Sequence, residues 1–174
     1  MPGDGSVRIL ISACLLGRKV RYNGSDKTSG YQTILQRWAQ EGWLVPLCPE
    51  IAVGFPTPRP PAEIQGGGGA EVLNGHARIV EDSGRDVTAL YQKAAADAVA
   101  FAQRNGCEHA VLTDGSPSCG SSVIYDGTFE GAQKAGMGST TAALRRSGVR
   151  VWSEKQIPEL DRVLKALHDS QEQQ

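Results

Sequence analysis

The residues with the clearest chemical potential in this chain are four cysteines, Cys14, Cys48, Cys107 and Cys119. Cys14 and Cys48 each directly follow a short apolar run, and Cys119 lies in the segment after a third such run, whereas Cys107 precedes that run. If these runs are parallel strands, their carboxyl ends share one edge of the sheet, which is where open α/β sheets bind ligands. We therefore expect three thiols to converge at one edge and Cys107 to be a small buried side chain at the other.

Three converging thiolates suit two kinds of metal centre. They can hold a zinc ion with one open coordination position, or three irons of a 4Fe–4S cluster whose fourth iron is open. The ligand spacing does not choose between the two, because soft thiolates suit both metals. The chain has no Cys-x-x-Cys pair, which argues against a thioredoxin-type dithiol. A non-catalytic binding or electron-transfer module is the remaining alternative.

The apolar pattern predicts strands that alternate with helices. Strands are expected at 7–13, 43–47, 110–113 and 149–152, with an extra strand or hairpin arm at 77–80. Amphipathic helices are expected between and after the strands, and the residues that begin or end them are Gly42, Asp86, Ser139 or Thr140, and Gly148. This order indicates an α/β fold: one domain over residues 1–174, with its core at 6–165, built as a Rossmann-like parallel sheet flanked by helices.

Two long segments, 49–75 and 114–138, are predicted as loops. The first contains the consecutive glycines 66–69, which lack the pattern of a nucleotide-binding loop. We therefore interpret them as a loose connection with no specific role. The second runs into Gly138, Ser139 and Thr140 at the start of a helix. That start is either a plain helix cap or a site for an anion such as a phosphate.

Composition limits the classes of protein to which the chain can belong. Its 174 residues are 40% hydrophobic and 21% charged, which is typical of one globular domain. The net charge of −1 argues against nucleic acid as a partner. No apolar run reaches the roughly 18 residues of a membrane helix, and Met1–Gly5 do not resemble a secretion signal. We expect a cytoplasmic protein without a membrane partner, either a monomer or a small homo-oligomer.

The chain resembles the thiouracil desulfurase family in segments that run in family order from Ile11 to Glu154. These segments read ISACLLG, VRYNG, PLCPE, FPTPRPPAEI, GRDV, AVLTDGSPSCGS, IYDGTF, TAAL and VRVWSE. The resemblance implies a 4Fe–4S cluster with three protein ligands, which map onto Cys14, Cys48 and Cys119. It also implies that the open iron takes sulfur from a thiolated pyrimidine without net redox change. The chain departs from the sequence pattern of that family at two positions: Thr113, where many members have lysine, and Ser139, where many have valine.

Desulfuration needs an activated water as well as a sulfur acceptor. Glu50, two residues after Cys48, is the best-placed carboxylate for that task, and the resemblance implies an acid/base role for the glutamate of this Cys-Pro-Glu. A solvated or capping carboxylate is the alternative. Ser116 and Ser118 precede Cys119, and the resemblance implies that one serine of this segment is functional. The alternative is that both serines are turn residues that shape the loop.

Four further residues are candidates for substrate contact. Arg59 can bind a carbonyl or a phosphate, or can instead pair with Glu63 and hold the proline-rich loop. Arg21 and Tyr22 are similar candidates. The expected substrate is 2-thiouracil, converted to uracil with release of sulfide. The alternatives are a 4-thiouracil nucleotide such as 4-thio-UMP, or thiouridine in RNA, and the small domain with balanced charge favours a free base or nucleotide.

Overall fold

The computed structural model describes residues 7–16, 32–56 and 60–172. Within these ranges the strands are Ile9–Ser12 (β1), Leu44–Leu47 (β2), Ala62–Gln65 (β3), Arg78–Glu81 (β4), His109–Leu112 (β5), Val123–Tyr125 (β6), Gln133–Ala135 (β7) and Arg150–Ser153 (β8). The helices are Gln32–Gln40 (α1), Pro49–Ala52 (α2), Gly69–Leu73 (α3), Thr88–Arg104 (α4), Ser139–Arg146 (α5) and Ile157–Glu172 (α6). No helix in these ranges is both long enough and apolar enough to cross a membrane.

The centre of the fold is a four-stranded parallel sheet in the order β2-β1-β5-β8. Successive side chains of β1 face opposite sides of the sheet. Ile9 belongs to a buried cluster with Trp38 of α1 and Leu160 of α6, whereas Leu10 belongs to another with Ala102 of α4. Helices therefore cover both faces, which confirms the predicted α/β fold with a central parallel sheet. Pro46 lies in β2 at the edge of this sheet, where a missing N–H is tolerated.

The two long segments predicted as loops contain secondary structure, and this prediction was wrong. The first holds α2, β3 and α3, and β3 pairs antiparallel with β4, which is the arm predicted at 77–80. The second holds an antiparallel hairpin of β6 and β7. These elements are three to five residues long. Such short elements depend on pairing with distant residues, and this leaves almost no periodic signal in the sequence.

The glycines at 66–69 were predicted to be a loose connection, and this prediction was wrong because Gly69 is closely packed. The backbone of Gly69 lies so close to the 137–138 backbone that a Cβ at position 69 would come within 2.1 Å of the Gly138 carbonyl oxygen. The Gly69 N–H also donates to the Met137 carbonyl at 2.8 Å. Asp86 is likewise not the N-cap of α4, because Val87 takes that position and the Asp86 carboxylate accepts the Thr88 N–H at 2.9 Å.

A buried carboxylate joins the first and last helices. Asp161 of α6 accepts a hydrogen bond from Trp38 Nε1 at 3.0 Å and forms ion pairs with Arg37 and, at 3.5 Å, with Lys165. Burial acts to raise the pKa of Asp161. The hydrogen bonds from Arg37 and Trp38 and the charges of Arg37 and Lys165 outweigh burial and hold this pKa below its usual value.

We predict that Asp161→Asn lowers the free energy of unfolding by about 1–3 kcal/mol at neutral pH, because Arg37 loses its charged partner. A carboxyl group whose pKa is lower in the folded state stabilises the protein above its unfolded pKa, roughly 3.9. This contribution is lost as the pH falls through the folded pKa, so the two proteins should converge in acid. Denaturant unfolding at several pH values measures the difference. Asp97→Asn, at an exposed carboxylate of α4, is the control and should change stability by less than about 0.5 kcal/mol.

Candidate active site

A cavity of about 390 Å³ lies at the carboxyl ends of β1, β2 and β5. Cys14, Cys48 and Cys119 all line it. Cys107 is buried near the amino end of β5, where burial raises the pKa of its thiol to about 11. All four cysteines are thiols rather than disulfides. The structure thus brings together the three cysteines that were expected to converge and places the fourth elsewhere.

Each of the first two thiols is positioned by the turn that follows its strand. Cys14 lies in a 3₁₀ turn, Ala13–Leu16, directly after β1, and its Sγ is 2.9 Å from the hydroxyl oxygen of Thr113. The Thr113 N–H in turn donates to the Ser12 hydroxyl at 3.1 Å, which ties the end of β5 to the end of β1. Cys48 occupies the single position between β2 and α2. Strand ends therefore place both thiols at the same edge.

The third thiol lies in a loop that is held by the N-terminus of α5. The N–H groups of Ser139 and Thr140 donate to the carbonyls of Pro117 and Ser118 at 2.8 and 2.9 Å. The first amides of this helix are therefore occupied by the loop and do not form an anion site. The prediction that Ser139 or Thr140 caps the helix was also wrong, because Gly138 takes the N-cap position and no side chain caps the helix there. Helix capping by backbone carbonyls instead orients the loop that carries Cys119.

Asp114 holds the other half of this loop, and sequence reasoning missed it. One oxygen of its carboxylate accepts the N–H groups of Gly115, Ser121, Ser122 and Val123 at 3.0–3.2 Å. Burial acts to raise the pKa of Asp114, but these bonds and one from the Ser122 hydroxyl keep it below its usual value. The only sequence signal was a lone aspartate at the end of a predicted strand, which does not reveal partners seven to nine residues away.

The electrostatics of the cavity show that its acidic groups interact. Burial raises the pKa of the Cys119 thiol well above its usual value, and the charge of Glu50 raises it further. Cys48 and Cys14 contribute in the same direction. Such a site disfavours thiolates unless positive charge is brought to it, and a bound metal centre is the usual source of that charge.

Glu50 is buried and held in place by two hydroxyl groups. Its Oε2 accepts a hydrogen bond from the Tyr91 hydroxyl at 3.0 Å, and its Oε1 accepts one from the Ser116 hydroxyl at 3.3 Å. Tyr91 belongs to α4 and packs against Phe55, with their ring centroids 5.1 Å apart. Sequence reasoning missed Tyr91 because its helix position is that of an ordinary core residue. The only hint was its hydroxyl group, since a buried tyrosine usually finds a partner for it.

The two candidate serines have different surroundings. The Ser116 hydroxyl faces the cavity, where it accepts the N–H groups of Ser118 and Cys119 at 3.0 and 3.2 Å while it donates to Glu50. The Ser118 side chain is fully buried and shares a 2.8 Å hydrogen bond with the Thr140 hydroxyl. Ser116 therefore lies beside the carboxylate. Ser118 joins the loop to α5, and its hydrogen bond to the Cys119 thiol acts to lower the pKa of that thiol.

The remaining candidates concern the substrate. Glu63 lines the cavity, and its Oε1 accepts the N–H groups of Gly127 and Phe129 at 2.9 and 3.1 Å. This carboxylate thus supports the turn between β6 and β7. Arg21, Tyr22 and Arg59 lie outside the described residues, and so does the alternative pairing of Arg59 with Glu63.

Comparison with known proteins shows the family to which this chain belongs. Residues 9–156 match the family model described as 2-thiouracil desulfurase. The uncharacterized protein YbbK of Bacillus subtilis (strain 168) is 46% identical over 152 residues, which are 87% of this chain and 99% of that relative. A solved structure of the 4Fe–4S-dependent thiouracil desulfidase TudS superposes with a TM-score of 0.81 at 46% identity, covering 92% of this chain and 99% of that one. The chain therefore belongs to the 2-thiouracil desulfurase family, as its resemblance to that family indicated.

Proposed function

We propose that this protein is a 4Fe–4S-dependent desulfidase that converts 2-thiouracil into uracil and releases sulfide. The observation that carries this proposal is the convergence of Cys14, Cys48 and Cys119 on one cavity beside the buried carboxylate of Glu50. Membership of the family and the likeness to TudS support the reaction class.

The donor set suits a cluster better than a single zinc ion. Three thiolates bound to one zinc ion must lie within about 4 Å of one another, given Zn–S bonds of roughly 2.3 Å. In the part of the chain that the structure describes, no group of three His, Cys, Asp or Glu side chains is arranged to hold a single metal ion. Cysteine thiolates are the usual ligands of a 4Fe–4S cluster, and three cysteines line this cavity. Cys14, Cys48 and Cys119 would hold it, one from each strand end.

When bound, a cluster with one iron free of protein ligands supplies a thiophilic Lewis acid for the sulfur of the substrate. The remaining chemistry is proton transfer. Exchange of C=S for C=O takes one oxygen atom from water and releases its two protons with the sulfur as hydrogen sulfide, without oxidation or reduction. Glu50 accepts one proton as water attacks the ring carbon and returns it to the departing sulfur.

The hydroxyl groups around Glu50 fix the direction of this transfer. Tyr91 and Ser116 each donate to a different carboxylate oxygen, so the plane of the carboxylate is set before substrate binds. Ser116 accepts two backbone N–H groups, and its own proton is thereby directed toward Glu50. Ser116 is thus the serine that we assign to catalysis.

We predict that serine substitution at Cys14, Cys48 or Cys119 abolishes cluster binding, because each removes one thiolate ligand. Cys107→Ser is the matched control and should retain iron and acid-labile sulfide at the wild-type level. Iron and sulfide analysis of anaerobically reconstituted protein, with its absorption spectrum, measures the outcome. Equal iron loss from all four variants would refute the assignment of ligands, and a colourless wild-type protein loaded with zinc would favour a zinc hydrolase.

We predict that Glu50→Gln lowers kcat for sulfide release by about 10²–10⁴-fold, because the amide cannot accept a proton from water. Iron content should stay at the wild-type level. Glu159→Gln, at an exposed carboxylate of α6, serves as the control and should leave kcat unchanged. Wild-type turnover by Glu50→Gln with an intact cluster would contradict the proposed mechanism and favour a non-catalytic role for this residue.

Substitution of Ser116 and of Ser118 tests which of these two serines takes part in catalysis. Ser116→Ala should lower kcat by roughly 10- to 100-fold, because Glu50 loses a donor in the reacting site. Ser118→Ala should lower the free energy of unfolding by about 1 kcal/mol, because Thr140 loses its buried partner. It should lower kcat less than Ser116→Ala does, because Ser118 bonds the Cys119 thiol rather than the reacting carboxylate. Sulfide release and thermal unfolding of both variants measure this difference. The reverse result, with Ser118 governing kcat, would exclude Ser116 as the functional serine.

Turnover on a panel of thiolated pyrimidines tests the substrate. We expect 2-thiouracil to be converted with a higher kcat/KM than 4-thiouracil, 4-thio-UMP or a thiouridine-containing RNA. Released sulfide and the uracil product are both measured, since their one-to-one ratio distinguishes hydrolytic desulfuration from decay of the cluster. A preference for 4-thio-UMP or for RNA would overturn the choice of substrate while leaving the reaction class in place.

A further inference from the structure

The outer wall of the cavity is formed by the hairpin of β6 and β7. Tyr125 and Gln133 lie directly opposite each other in this hairpin, and residues paired in this way project from the same face. Both line the cavity. Ile124, between the paired positions, is fully buried on the other face of the hairpin. The hairpin therefore presents one aromatic ring and one side-chain amide to the site.

These two side chains converge next to the catalytic serine. A methyl group placed on Gly115 would lie 3.7 Å from Tyr125 Cε2 and 3.8 Å from Gln133 Nε2. Gly115 is the residue immediately before Ser116, whose hydroxyl donates to Glu50. The ring and the amide thus stand over the same point of the cavity wall, within one residue of the group that we assign to proton transfer.

The hairpin is held rigidly in this position. Glu63 accepts two N–H groups of its turn, and Gln65 donates to the Gly127 carbonyl at 3.0 Å. At the base of the hairpin, Asp114 accepts the N–H of Val123. Tyr125 nevertheless keeps 37% of its surface exposed, which is large for an aromatic residue on a supported cavity wall. Its ring is therefore available to a ligand rather than used for packing.

We propose that Tyr125 and Gln133 recognise the pyrimidine ring, an inference that rests on the proposed function. Tyr125 stacks on the heterocycle, as aromatic side chains do on nucleobases. The Gln133 amide offers one acceptor and one donor, which complement the adjacent N3–H and 4-carbonyl of 2-thiouracil. The prolines Pro60 and Pro61, which also line the cavity, provide apolar surface for the same flat ring. In this proposal the hairpin selects the substrate, and the residues at the carboxyl ends of the strands carry out the reaction.

The test compares binding in the reconstituted holoenzyme of the wild type and of the variants Tyr125→Leu, Tyr125→Phe and Gln133→Ala. Loss of stacking in Tyr125→Leu should raise KM for 2-thiouracil about tenfold or more and weaken the binding of uracil, measured by calorimetry, by a similar factor. Tyr125→Phe keeps the aromatic face and should retain wild-type values. Gln103→Ala, at an exposed glutamine of α4, is the control for Gln133→Ala.

A modified substrate tests the role of Gln133 without relying on the folding of any variant. The wild type should show a KM for N3-methyl-2-thiouracil at least about tenfold above that for 2-thiouracil, because the methyl group removes the donor that Gln133 reads. Gln133→Ala should lose this discrimination. Retained discrimination in Gln133→Ala, or unchanged KM and uracil affinity in Tyr125→Leu, would overturn the inference. If the loaded wild type releases no sulfide from any thiopyrimidine, the proposed function itself fails, which is a distinguishable result.

Discussion

The geometry of the site depends on the close approach of three backbone segments. A Cβ on Gly138 would lie 2.5 Å from the carbonyl group of Ser118, and a Cβ on Gly69 would lie 2.1 Å from the Gly138 carbonyl oxygen. Glycine at both positions lets α3, the start of α5 and the Cys119 loop stack directly on one another. The amides of α5 can then donate to the loop carbonyls, and the third thiol is held by backbone contacts rather than by its own side chain.

This packing is what makes an electrostatically unfavourable site possible. Cys119 and Glu50 are buried within one cavity, and each negative charge there raises the pKa of the Cys119 thiol. Because α5 and Asp114 fix the loop, the Cys119 thiol stays beside Glu50 in the folded protein.

Part of this arrangement was predictable from the sequence because it follows from topology. Cys14, Cys48 and Cys119 each follow an apolar run, and parallel strands bring such positions to one edge. Tyr91 and Asp114 were not predictable, because their contacts with Glu50 and with residues 115–123 require folded backbone between them. The hairpin of β6 and β7 was not predicted, because three-residue strands are too short to show an alternation of apolar and polar side chains.

The layout also separates the residues that we propose for the reaction from those that we propose for substrate selection. The hydroxyl oxygen of Thr113, the residue directly after β5, lies 2.9 Å from the Cys14 sulfur. A change at this position therefore acts first on the Cys14 thiol, which we propose as a cluster ligand, because hydrogen bonds to ligand sulfurs tune a bound metal centre. The hairpin is anchored by Glu63 and Asp114, which accept the N–H groups of Gly127 and Val123. On the proposals above, substitutions in the hairpin alter which ring enters the cavity, while the three thiols at the sheet edge keep their positions.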